Sequence, residues 1–391
     1  MLPTFTFTTT PALVFGPGKL HCLPAQLKRF GSRLLLVVGG HSFLSGKEWP
    51  LLNRSLEEHG FACHLERISG EPSPLDIDTI CRKYRRQAID AVVAIGGGSV
   101  LDGGKAISAM LVEQQPVMTF LEGVGTEKPS GKKVPFVAVP TTSGTGSEAT
   151  SNAVISTVGR DGFKKSLRHD NYVPDIALID PGLTISCPTP LTVACGMDTF
   201  TQLVEAYLST KSSPLSDTLA LEGIRAVIHS FKNTCANGSD LRARSDMAYA
   251  SYLSGVVLAN AGLGAIHGFA SAIGGLFAIP HGIVCGTLMA SANRATLNKL
   301  RETGENQAAL IKYSLLGRMV SEGNPAGHEA QDRFIAYLED LTSSLRLARL
   351  ADFGISEQDF DPILRRSGNK NNPVQLSRDE LAAILRTRLN H

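Results

Sequence analysis

The chain has no block of five like charges, no apolar run long enough to cross a bilayer, no internal repeat and no pair of closely spaced cysteines. Each absence removes a class of function. Lys and Arg number 38 against 36 Asp and Glu, a net charge of +2. Without a basic stripe there is no electrostatic footprint for nucleic acid and no polybasic membrane patch. The longest apolar run, ASAIGGLFAI, is far short of the roughly 20 residues a membrane helix needs. The opening MLPTFTFTTTPALVFG has neither the basic start nor the apolar centre of a signal peptide. Seven cysteines, an odd number, argue against a disulfide scaffold and fit a reducing compartment. Cys63, Cys81, Cys187, Cys195 and Cys285 stand mostly among apolar residues and read as buried small hydrophobes. The expectation is a cytoplasmic protein with no nucleic-acid or membrane partner.

What is present is a two-part text. With 391 residues, 43% hydrophobic and 19% charged, the chain supports a substantial core and two domains. Its first half alternates. RLLLVVGG (33–40) is a short continuous apolar run ending in glycines, the signature of a buried parallel strand, and FACHLERI, DAVVAIGGGS and PFVAVPTT read as three further strands. Between them lie helices of about three turns, WPLLNRSLEEHG, DIDTICRKYRRQA (with Asp76 or Asp78 near its start) and SVLDGGKAISAMLV. Strand–helix alternation implies a parallel sheet covered on both faces. After DPGLTISCPTP (180–190) the β-branched runs stop and the pattern is helical almost to the end. The predicted architecture is an α/β dinucleotide-binding, Rossmann-like domain over residues 1–185 and an all-α domain over 186–391.

Two turns in the first half carry chemistry. GGGSVLDGGK (96–105) follows one strand and opens a helix, where free N–H groups and the helix dipole bind phosphate. It is neither GxGxxG nor a Walker loop. PTTSGTGSE (140–148) closes the next strand. Two such turns at the carboxyl ends of neighbouring strands suit a dinucleotide or another polyphosphate. In the helical half, GMDTFTQLVEAY places Asp198 and Gln202 one turn apart on one helix face. His267 opens a later helix, and His281 follows Pro280 at the start of the next. Asp, His and His on three successive elements are able to converge on a divalent ion.

These blocks, with PDIALIDPGLT, the opening LVFGPGKL and the closing NKNNPVQLSRDEL, resemble in order and spacing the iron-dependent (group III) alcohol dehydrogenases. The resemblance covers essentially the whole chain. It implies an N-terminal dinucleotide-binding domain, a C-terminal helical domain and a metal in the cleft between them, within the dehydroquinate-synthase-like superfamily. The ligands it implies are an Asp, a His four residues later and two further His. Asp198, His267 and His281 match three of these, and Gln202 stands where the second is normally His. An amide oxygen binds iron, zinc or nickel more weakly than imidazole, so a weakly held ion is expected. Many members carry another His where Ser271 stands here, near the substrate.

The same resemblance places Gly97, Gly98, Ser99 and Asp102 around the pyrophosphate, and Thr141, Thr142 and Thr145 in the second phosphate and nicotinamide turn. Lys164 matches a lysine that reaches the nicotinamide ribose, with Lys165 the alternative. Gly40 replaces the Asp that favours NAD at the end of the first strand. With His41 and Ser42 beside it, NADP is admitted along with NAD. The implied activity is NAD(P)-dependent interconversion of an alcohol and an aldehyde, in a homodimer to which the N-terminal segment would lend a strand. The competing readings are a metal-free reductase or non-catalytic relative, prompted by Gln202 and Ser271, and a dehydroquinate-synthase-like lyase.

Overall fold

The computed structural model describes residues 3–389. Its strands are β1 (Ala12–Phe15), β2 (Arg33–Val38), β3 (Ala62–Arg67), β4 (Ala91–Gly96), β5 (Phe136–Pro140), β6 (Asn152–Thr157), β7 (Phe163–Arg168) and β8 (Ile176–Ile179). Six of them form one parallel sheet in the order β1-β8-β5-β4-β2-β3. Helices α1 (Leu23–Leu27), α2 (Glu48–Glu58), α3 (Pro74–Tyr84) and α4 (Gly98–Met110) cover it. Alternation along β2 sorts its side chains. Leu34, Leu36 and Val38 join a core with Leu23, Leu52 and Leu56 of α1 and α2. Leu35 and Val37 join a second core with Ile77, Ile80, Ile107 and Met110 of α3 and α4. Burial on both faces explains why β2 and β4 read as continuous apolar runs.

From β2 the chain moves outward to β3, then returns across β2 to β4 and continues the other way. The strand order therefore reverses between β2 and β4, the place where open α/β sheets bind ligands at their carboxyl ends. That crevice lies between Gly39–Gly40 after β2 and Gly97–Gly98 after β4.

The remaining helices are α5 (Thr189–Leu208), α6 (Pro214–Ala236), α7 (Leu241–Ala261), α8 (Ala265–Leu276), α9 (His281–Thr303), α10 (Gln307–Met319), α11 (Gly327–Ser344), α12 (Phe360–Arg366) and α13 (Arg378–Thr387). They share one core, including Phe200, Leu203, Phe231, Val257, Phe269, Leu288 and Phe334. No single helix among the described residues is long and apolar enough to cross a membrane. The turn after β5 lies directly on this bundle. Gly146 has φ of +64°, and a Cβ there would stand 2.4 Å from the Gly255 nitrogen of α7. Thr199 Oγ1 of α5 donates to the Gly144 carbonyl at 2.9 Å. A side chain at either glycine would prise the two halves apart.

Several details depart from the sequence reading. β8 and β1 extend the sheet, and β1 pairs with β8 of its own chain. β6 and β7 form a separate antiparallel hairpin around the VGRDGF turn. Ser73 caps α3, and Asp76, in the first turn as expected, closes the capping box. Among the cysteines expected inside, Cys81 and Cys285 are buried, Cys187 and Cys195 are intermediate, and Cys63 on the edge strand β3 is exposed.

Candidate functional site

One cavity of about 690 Å³ runs from the sheet crevice to the helical bundle. It lies in the upper part of the roughly 300–1,000 Å³ range of small-molecule sites. Gly39, Gly40, Gly97, Gly98, Ser99, Asp102, Thr142, Thr145 and Lys164 line its sheet side. Asp198, Gln202, His267, Ser271 and His281 line its far side. The N-cap of α4 is Gly97, which has no side chain to satisfy the first-turn N–H groups, so these are available to an anion. Gly98 is tightly placed, since a Cβ there would lie 2.5 Å from Thr145 side-chain atoms. Asp102 accepts from Ser147 Oγ at 2.8 Å and lies 3.9 Å from Lys105 Nζ, tying the two phosphate-type turns together. Thr141 is not among the lining residues. Lys164 projects from β7 into the cavity and forms an ion pair with Glu71. Its neighbour Lys165 is exposed and not among the lining residues. Ser271 is also exposed, and its hydroxyl donates to the Lys164 carbonyl at 3.3 Å.

At the far end four side chains meet. Ligand atoms of Asp198, His267, His281 and Cys285 all lie within 4.8 Å of one another. Asp198 Oδ1 is 3.4 Å from His267 Nε2 and 3.6 Å from His281 Nε2. That oxygen is buried and has no hydrogen-bond partner. A buried carboxylate oxygen without a donor is costly, and a cation beside it removes the cost. The residues present therefore fit a divalent ion. Gln202, one turn below Asp198, is 2% exposed, and its amide end meets Ser254 Oγ at 3.0 Å.

The electrostatics follow from burial and proximity. Burial raises the Asp198 carboxyl, but His281 and His267 outweigh it and hold the pKa at about 2. Burial lowers His281 to about 4, against the pull of Asp198. Burial also opposes a proton on His267. There the Cys285 sulfur, Asp198 and Glu205 win and hold its pKa well above the usual imidazole value. Burial pushes the Cys285 thiol up to about 12.

Sequence reasoning missed three residues. Glu205 of α5, 7% exposed, lies 2.5 Å from His267 Nδ1 through Oε2 and accepts from the Ile266 backbone N–H at 2.7 Å. It fixes the imidazole so that Nε2 faces Asp198, the arrangement usual behind metal-binding histidines. Glu71 pairs with Lys164. Cys285 follows His281 by four residues on α9, a one-turn spacing visible in the sequence.

Two family patterns match this chain. Iron-containing alcohol dehydrogenase matches residues 10–181, and the C-terminal part of the Fe-containing alcohol dehydrogenase family matches residues 192–389. Long-chain-alcohol dehydrogenase 1 of Geobacillus thermodenitrificans is 34% identical over 78% of this chain and 79% of its own length. The 1,3-propanediol dehydrogenase of Klebsiella pneumoniae is 32% identical over 95% of each chain. The crystal structure of a 1,3-propanediol oxidoreductase superposes with a TM-score of 0.89 at 28% identity, over 99% of this chain and 100% of that one. The sheet topology, the glycine-lined crevice and the Asp–His–His cluster thus occur in a chain that belongs to the iron-containing alcohol dehydrogenase family.

Proposed function

We propose that this NAD(P)-dependent alcohol–aldehyde oxidoreductase holds its divalent metal on Asp198, His267 and His281 and its dinucleotide along the Gly40–Gly97–Thr145 crevice. The observation that carries the metal assignment is Asp198 Oδ1, buried without a donor and 3.4 and 3.6 Å from two imidazole nitrogens. The ion, when bound, supplies Lewis-acid polarisation of the substrate oxygen. The other roles belong to the chain. The α4 N-terminus binds pyrophosphate, Thr142 and Thr145 line the path toward the nicotinamide, and Lys164 stands ready for the ribose. Glu205 keeps His267 Nδ1 engaged so that Nε2 faces the ion. Gly40 leaves space without a carboxylate, which admits the 2′-phosphate of NADP as well as NAD.

The test is oxidation of NADH and NADPH over a series of aldehydes, before and after chelation and with zinc or ferrous iron restored. Activity lost on chelation and regained with metal supports the reading. Full turnover by metal-free protein overturns the metal role. The relatives' names span long-chain alcohols and 1,3-propanediol, so the series covers both. The outer edge of β1 has no strand neighbour among the described residues, and a homodimer using that edge is the assembly proposed. A monomer by light scattering would refute it.

A further inference from the structure

Asp198 and Gln202 are one turn apart on α5, but Gln202 offers only an amide, and its Oε1 accepts from Ser254 Oγ at 3.0 Å. The second pair at that spacing is on α9, where His281 and Cys285 are four residues apart and both belong to the four-residue cluster. An i, i+4 pair presents its side chains on one helix face, so α9 offers two donors where α5 offers one strong one. Cys285 Sγ lies 3.7 Å from His267 Nε2. Tetrahedral ligands at zinc-like bond lengths stand roughly 3.3–3.6 Å apart, a little more for sulfur than for nitrogen or oxygen. Three of the six separations are 3.4, 3.6 and 3.7 Å, close to such edges, and all six lie within 4.8 Å.

We propose that the Cys285 thiolate is the fourth protein ligand of the metal, compensating for the imidazole that Gln202 does not provide. This rests on the Asp198–His267–His281 reading above and extends it. On binding, the sulfur–metal bond forms and the thiol proton leaves to water. Two consequences follow from charge and softness. Asp198 and Cys285 together cancel the charge of a divalent ion, whereas one carboxylate with three imidazoles leaves one positive charge. The site is thus less electrophilic, and its thiolate favours zinc or cobalt over magnesium or manganese.

The experiment uses the full-length protein, stripped with chelator and loaded with zinc for X-ray absorption, or with Co(II) for optical spectroscopy. The expected result is a sulfur shell at about 2.3 Å beside nitrogen and oxygen near 2.0–2.1 Å, with a near-ultraviolet sulfur-to-cobalt charge-transfer band. Cys285→Ala should lose the sulfur shell and the band, and its zinc affinity should fall by more than about tenfold, the lower figure for losing an outer-shell partner. The wild-type spectra need no variant, so misfolding of Cys285→Ala would not protect the proposal. Metal bound through nitrogen and oxygen alone overturns the role of Cys285 and leaves the three-ligand reading standing. No uptake of either metal, in wild type and in His267→Ala alike, overturns both.

Discussion

Replacing Glu205 by Gln keeps the shape of a buried side chain and removes one of its two acceptors. In the native protein, Oε2 faces His267 Nδ1 at 2.5 Å while Oε1 accepts from the Ile266 N–H at 2.7 Å. An amide satisfies one of these and turns an NH₂ toward the other. With its oxygen on Ile266, the NH₂ confronts Nδ1, and the imidazole proton is driven to Nε2. That nitrogen faces Asp198, and once protonated it has no lone pair for a metal. Losing such a partner costs roughly 10–100-fold in metal affinity, about 1.4–2.8 kcal/mol. The assay is zinc competition against a chromogenic chelator, with kcat/KM measured at saturating metal. Glu205→Gln should lose at least about tenfold in affinity and recover part of its activity at high zinc. Affinity unchanged from wild type would mean that Glu205 is merely a cap on α8 and does not orient His267.

Four further outcomes are expected. Gly98→Val should weaken NADH and NADPH by tenfold or more, about 1.4 kcal/mol, because its side chain meets Thr145 and blocks the α4 N–H groups; unchanged fluorescence titrations would remove this turn from the site. Gly40→Asp meets little steric resistance, with Ser69 Oγ 3.8 Å from the new Cβ, and should weaken NADPH more than NADH; equal effects would refute the selectivity argument. Gln202→His should retain more metal through dialysis against a mild chelator, since imidazole is the stronger ligand, with the larger gain in a Cys285→Ala background; equal retention with and without the histidine would show that position 202 does not reach the ion. Zinc affinity of the stripped protein should rise with pH between about 6.5 and 8.5, because the ion displaces protons. His267, with its pKa held high, and the Cys285 thiol each give one up, while His281, lowered to about 4, is already neutral. A pH-independent isothermal titration would contradict this.

The parts legible in the sequence were those fixed by local pattern. β2 and β4 declare themselves as unbroken apolar runs because both sheet faces are covered. The glycines of the first turn declare the crevice because a side chain would close it. β1 and β8 have four residues each, too few for periodicity to stand out, and only pairing with each other and with β5 makes them strands. The β6–β7 hairpin was hidden because neither NAVIST nor FKKSLR alternates cleanly and the pair interrupts the βα rhythm. Glu205 and His267 are 62 residues apart, and nothing local joins them; their contact is created by α8 starting against α5. Cys285 was hidden by chemistry, since a buried cysteine among apolar residues is usually only a hydrophobe. Its one-turn spacing from His281 was the available clue.

The proposed chemistry turns on a divalent ion held by Asp198, His267 and His281, with Cys285 as the further ligand. The most direct measurement is an anomalous difference map from crystals of the zinc-loaded protein, recorded on both sides of the zinc absorption edge. A single peak enclosed by Asp198 Oδ1, the Nε2 atoms of His267 and His281, and Cys285 Sγ is the predicted result. A fully loaded crystal with no peak there, or with its zinc bound elsewhere, would contradict it.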